Sequence, residues 1–149
     1  MQTFLPYADY AMSAQVLDNK RLGKQRVETL QVLKALIIPD YGWKNHPAVK
    51  MWRGHFTELL AYQRAVCSEW ANVRGYRDTC WEKSLELAEI HSQSGAVDLG
   101  MPEWLGNEEL HRSHRSNLIR KSPEYYRPLF EPDLSDDLPY VWPEQCVVS

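Results

Sequence analysis

Apolar residues along this chain recur at helical spacing and not in the alternation of a strand. Leu22, Leu30, Leu33, Leu36 and Ile37, joined by Thr29, fall on one side of a helix at about 100° per residue, with Lys20, Arg21, Lys24, Gln25 and Glu28 on the other. That pattern predicts a helix over roughly 19–37, with Asp18 placed to cap its start and Pro39 to end it. A shorter segment around 8–16 precedes it. Further on, Val49, Trp52, Phe56, Leu59, Leu60, Val66 and Trp70 predict one long helix, entered through Pro47 and closing near Gly75. Thr79 and Glu82 have capping-box spacing and open a helix to about Ser92; Asn107 caps another to about Lys121, and Ser122-Pro123-Glu124 starts one more turn. The stretches 40–46 and 94–106 read as loops, and from Pro128 the chain is Pro-rich, acidic and extended. No internal repeat and no strand pair is visible. The expectation is an all-α fold: a compact helical domain of about five helices over 1–130, with an extended acidic tail, 131–149, packed on it or trailing from it.

A chain of 149 residues can bury one real core. It holds no apolar run of the length a membrane span requires, and its first residues, Met1-Gln2-Thr3-Phe4-Leu5-Pro6, lack the basic start and apolar stretch of a signal peptide. Cys67, Cys80 and Cys146 form no CxxC pair, so neither structural zinc nor a disulfide framework is expected; the cytoplasm is the natural compartment, nucleoid-associated in a bacterium. The net charge of −3 conceals a strong asymmetry: residues 20–64 carry nine Lys or Arg against three acids, whereas 131–149 carry five acids and no base. A cationic half permits a polyanionic partner without requiring one.

Candidate chemistry enters where those charges meet special side chains. Glu28 ends a dense basic run near the start of its helix, which fits either an ion-paired surface helix or an acid-base carboxylate in a phosphate-binding surface. Arg26 falls on the apolar side by helical angle, where it either pairs with a core acid or faces a phosphate groove. His46, just before Pro47, reads as a helix cap or as an imidazole beside an anionic ligand. His111 and His114 lie i, i+3 on one face of the helix that also carries Arg112, Arg115, Arg120 and Lys121; with no third ligand evident, a solvated or phosphate-facing basic helix outranks a metal site. The aromatics Tyr125, Tyr126, Tyr140 and Trp142 read as packing that pins the tail, with base stacking as the minority reading. Met1, retained before the bulky Gln2, offers an α-amine. Such amines are weaker bases than lysine by roughly two to three pK units, so more of the free nucleophile is present near neutral pH. No Walker loop, dinucleotide Gly pattern, HExxH or nucleophile elbow occurs.

The order of these parts resembles the phage-type pyrimidine dimer DNA glycosylases, the endonuclease V family. Cellular relatives tend to read Met-x-x-aromatic, then Leu-Asp-x-Lys-x-Leu, then a catalytic Glu followed two residues later by Leu. This chain supplies Met1 with Phe4, Leu17-Asp18-Asn19-Lys20-Arg21-Leu22, then Glu28 and Leu30 in register. Asn45-His46-Pro47, leading to a helix that ends in Arg74-Gly75-Tyr76, is a second match. A looser third is the basic helix closing on Lys121-Ser122-Pro123-Glu124-Tyr125. The likeness covers about 1–78 well and 108–127 loosely.

The resemblance implies a DNA-repair glycosylase with AP-lyase activity that acts on a damaged or modified base in double-stranded DNA, without metal or other cofactor. Met1 would be the nucleophile that forms a Schiff base with the sugar, and Glu28 the acid-base residue. Lys20, Arg21, Lys24, Arg26, His46, Arg112 and Arg115 are the nucleic-acid-binding candidates. The alternative is a non-catalytic nucleic-acid-binding or protein-interaction module on the same scaffold.

Overall fold

The computed structural model describes residues 1–143, and among them the secondary structure is helical with no strand. Seven α-helices follow in order: α1 (Tyr10–Val16), α2 (Asn19–Ile37), α3 (Pro47–Lys50), α4 (Phe56–Ser68), α5 (Cys80–Gln93), α6 (Glu108–Lys121) and α7 (Pro123–Tyr126). A π turn, Glu69–Val73, widens the end of α4, and a 3-10 turn, Arg127–Leu129, follows α7. The all-α expectation holds. The count exceeds about five because α3 and α7 are single turns and because the expected long helix divides. The last part of the expected tail, 144–149, with Glu144 and Cys146, lies outside the described residues.

That division has a plain cause. After α3 the backbone turns through Gly54 at φ 84°, a left-handed conformation that glycine adopts without Cβ strain, and restarts at Phe56. A glycine inside an apolar helical pattern was the available signal. The expected capping box on α5 is also corrected: Thr79 makes no side-chain cap, and Asp78 instead accepts from the N–H groups of Cys80 (3.1 Å) and Trp81 (3.0 Å). Asp18 likewise precedes α2 without a side-chain cap, because its carboxylate receives the Tyr126 hydroxyl and the Arg21 guanidinium (3.2 Å). Asn107 does cap α6, accepting from Leu110 N–H at 3.2 Å.

Helix α2 packs against α4 and α5, and α1 lies against α4. Leu22, Leu30, Val32, Leu33, Leu59, Val66 and the ring of Trp52, edge-on to Trp104 at 4.9 Å, sit in one continuous core with Leu118, Ile119 and Tyr126. No helix among the described residues is long and apolar enough to cross a membrane.

Helix α6 breaks the usual amphipathic rule. Ser113, His114, Arg115, Ser116 and Asn117 are all buried on it, because two irregular segments that lack backbone partners of their own lie along it. One is the N-terminal segment. The other is the residue 130–143 strap, which runs antiparallel to α6: Ser116 Oγ accepts from Leu138 N–H (3.1 Å), Asn117 donates to Leu138 O (2.9 Å), and Ser113 Oγ accepts from Val141 N–H (3.1 Å). The described part of the acidic tail is therefore packed on the helical body and does not trail from it.

Candidate active site

Residues 1–6 form no helix yet are mostly buried, so side chains must satisfy their backbone. Gln2 N–H donates to Glu28 Oε2 at 2.9 Å, and Gln2 O accepts from Gln25 Nε2 at 2.8 Å. Phe4 N–H donates to Gln25 Oε1 (3.0 Å), and Tyr62 OH donates to Phe4 O (2.5 Å). Leu5 N–H donates to His114 Nδ1 (2.9 Å), Leu5 O meets His111 Nδ1 (2.8 Å), and Pro6 O accepts from Arg115 (2.8 Å). The N-terminal segment is thus laced between α2, α4 and α6, and the lacing fixes where its first nitrogen sits.

That nitrogen lies 3.8 Å from Glu28 Oε2, while Lys24 Nζ lies 3.8 Å from Oε1 of the same carboxylate. Glu28 keeps 17% of its side chain exposed, enough to face a cleft of about 340 Å3 lined by Met1, Gln2, Phe4, Lys20, Arg21, Lys24, Gln25, Lys121 and Tyr140. One carboxylate, one terminal amine and four cationic side chains converge there. A second cleft of about 330 Å3, lined by Leu36, Ile37, Phe56, Ile90 and Val97 among others, has no carboxylate in its wall. Glu28 stands tenth among the nineteen residues of α2, beyond the first turn and not near its start as the sequence suggests, so the field of the helix end does not reach it; its neighbours are the α-amine, the Gln2 N–H and Lys24.

The other sequence candidates divide. Lys20, Arg21 and Lys24 line the cleft. His46 caps α3 by accepting from Ala48 N–H (3.0 Å). Its pKa is lowered by partial burial and then by the Met1 ammonium, against an upward pull from Glu28, so it stands within electrostatic reach of the pair. Arg26 points away into the body, 2.5 Å from Asp78 Oδ1 and 4.5 Å above the Trp70 ring. Arg115 is buried between Glu108, Glu131 and Pro6 O; burial works against its charge, but the two carboxylates hold its pKa above the ordinary value. Arg112 is exposed on α6 beside Leu138 and Val141 of the strap, outside the cleft wall. No group of three or more His, Cys, Asp or Glu suited to a metal occurs among the described residues.

Five cleft residues were not site candidates from sequence: Gln2, Phe4, Gln25, Lys121 and Tyr140. Gln25 looks like a surface residue on a polar helix face, yet it is 1% exposed and straps the N-terminal segment. Gln2 carries no local pattern, Phe4 enters only as the aromatic of the N-terminal motif, and Lys121 only as the end of the basic helix. Tyr140 arrives on the strap, where its ring meets those of Phe4 (6.4 Å) and His114 (5.6 Å), and burial with the Glu28 charge pushes its hydroxyl up to about 12 against the pull of Arg120 and Arg21.

The two histidines of α6 are structural groups held neutral. His111 Nε2 accepts from Gly106 N–H (3.0 Å), so Nδ1 carries the proton given to Leu5 O. His114 accepts at Nδ1, and complete burial lowers its pKa to about 3. Since an unfolded histidine titrates near 6.5, the unfolded chain takes up protons the folded one refuses as pH falls from about 6.5 toward about 3. Full stability is present above that window and drains within it, by about 1.4 kcal/mol per pH unit for one such imidazole. Urea midpoints measured between pH 7 and pH 4 are expected to fall steeply. His114→Asn, which keeps an acceptor for Leu5 N–H but cannot titrate, is expected to flatten the slope by about one proton; an unchanged slope would contradict the assignment.

A family model described as pyrimidine dimer DNA glycosylase matches residues 1–83, more than half of the chain. Neither a curated protein nor a solved structure matches it. The matched span holds Met1, Glu28 and most of the cleft wall; Lys121 and Tyr140 are added from beyond it.

Proposed function

Because the chain belongs to the pyrimidine dimer DNA glycosylase family, we propose that it excises a damaged base from double-stranded DNA and then nicks the strand as an AP lyase, with Met1 as nucleophile and Glu28 as acid-base residue. The observation that carries this reading is the 3.8 Å approach of the Met1 nitrogen to the Glu28 carboxylate at the wall of a cationic cleft. A terminal amine attacks C1′ of the damaged nucleotide while the C1′–N1 electron pair leaves with the base, and the proton shed by the amine ends on that base. Ring opening then gives an imine, with a proton passed from nitrogen to O4′. Glu28 stands where it can carry that proton, steady the positive charge that develops at C1′, and accept the C2′ proton whose loss expels the 3′ phosphate.

Lys20, Arg21, Lys24 and Lys121 supply the cations that would hold the flanking phosphates. Arg26, paired with the buried Asp78, and Arg115, itself buried and paired with Glu108 and Glu131, are positioning residues in this reading: they secure α2 to α5 and the N-terminal segment to α6. Admitting the nucleotide requires unstacking it, at a cost of a few kcal/mol.

The test is borohydride trapping on a duplex with a single abasic site, using protein whose chain begins at Met1. A covalent protein–DNA band is expected, and a short extension ahead of Met1 should abolish it while leaving duplex binding in place. Trapping that survives the extension would remove Met1 from the mechanism.

A further inference from the structure

The residue next to the nucleophile carries an unexplained donor. Gln2 lines the cleft and is 5% exposed. Its amide orientation is fixed, because Oε1 accepts from Thr3 N–H at 2.9 Å, which requires the oxygen there and leaves the NH2 group on the other side. That nitrogen is buried and has no hydrogen-bond partner among the described residues. Orphan donors of this kind are rare and costly in folded proteins, and one beside a reacting group is best explained by an acceptor that arrives with the ligand.

We infer that Gln2 is a catalytic residue whose amide N–H hydrogen-bonds the carbonyl oxygen beside the glycosidic nitrogen of the departing pyrimidine. The inference rests on Met1 acting as the nucleophile. When the C1′–N1 bond breaks, its electron pair stays with the base and its charge spreads over N1 and the C2 carbonyl. That carbonyl is separated from C1′ only by N1 and C2, so an amine poised on C1′ places its own neighbouring residue beside it. A donor fixed there in advance strengthens its bond as charge grows, which accelerates base departure more than it tightens ground-state binding. The proton that finally neutralises the base still comes from the attacking amine; Gln2 only donates a hydrogen bond. The following steps, imine formation on an already abasic sugar and β-elimination, involve no departing base and make no demand on Gln2.

The experiment compares two substrates for each variant: a duplex with one cyclobutane thymine dimer, read as single-turnover base excision, and a duplex with one abasic site, read as borohydride trapping. Gln2→Glu keeps an acceptor for Thr3 N–H but loses the donor; Gln2→Met loses both and removes the added charge as a cause. Both keep a large second residue, so Met1 is retained. The expected result is that base excision falls by roughly 10- to 100-fold more than trapping in both variants. Equal losses on the two substrates would show a merely structural Gln2 and overturn the inference, as would no selective loss in either variant. Failure of the wild-type protein to trap on the abasic duplex would refute the proposed mechanism itself. Trapping by a wild-type protein that leaves the dimer intact would instead overturn the pyrimidine leaving group assigned here while sparing the imine chemistry.

Discussion

Replacing Glu28 with glutamine is expected to lower strand cleavage by about a thousandfold while duplex affinity holds or rises. The size of the loss follows from what the carboxylate does: a positioned acid-base group contributes roughly 10²–10⁴ in rate, and here the same group also faces the charge developing at C1′. The direction of the affinity change follows from the cleft. Lys20, Arg21, Lys24 and Lys121 surround a single carboxylate there, so neutralising it leaves more positive potential for the phosphates. The amide oxygen of glutamine can still accept the Gln2 N–H that Glu28 now accepts at 2.9 Å, so the N-terminal segment should keep its place. Single-turnover cleavage and fluorescence anisotropy on the same dimer-containing duplex separate the two effects. Cleavage within threefold of wild type would remove Glu28 from the chemistry. A variant that bound less tightly in proportion to its lost cleavage would point to a binding role alone. The non-catalytic alternative predicts no cleavage to lose and only a modest change in affinity.

How much of this could be read from the sequence depends on which interactions are local. The α2 boundaries came out as expected because apolar period, Asp18 and Pro39 agree within one segment. The break at Gly54 and the cap by Asp78 were missed, since periodicity and the capping-box pattern each pointed to another local solution. The proximity of Met1 to Glu28 needed the backbone of residues 2–6 to find partners on α2, α4 and α6, some of them more than a hundred residues away, and no spacing rule encodes that. The same cause hid the structural roles of Gln25 and His114. Each has a side chain that looks ordinary on its own helix and becomes informative only when an irregular segment requires a donor or an acceptor. Tyr140 reads from the sequence as tail packing, but its place in the cleft wall stayed hidden because the strap that carries it is held through Ser113, Ser116 and Asn117, polar residues whose burial contradicts the usual reading of a helix face.

Asp78→Asn is expected to destabilise the protein by roughly 3–5 kcal/mol, the usual cost of breaking a buried ion pair from one side. The Arg26 and Asp78 side chains are only 14% and 7% exposed, and Arg26 Nε has no partner among the described residues. Burial alone would push the Asp78 carboxyl up, but the Trp81 and Cys80 N–H groups and the Arg26 guanidinium hold it below the ordinary carboxylate range. Asparagine is also a good helix cap, so this substitution keeps an acceptor for the start of α5 and isolates the loss of charge. What remains is a guanidinium stranded between α2, α5 and the Trp70 ring. Adding Arg26→Met should recover most of the loss, because the double variant buries no unpaired charge and methionine can fill the space over Trp70. Urea midpoints for the four proteins measure the cycle. Duplex affinity measured alongside decides between the two readings that helical angle left open for Arg26. If it serves as a structural cation, the midpoint drops and affinity per folded molecule is unchanged. If it serves a phosphate instead, Asp78→Asn would free it, raising affinity and steepening the salt dependence with little loss of stability.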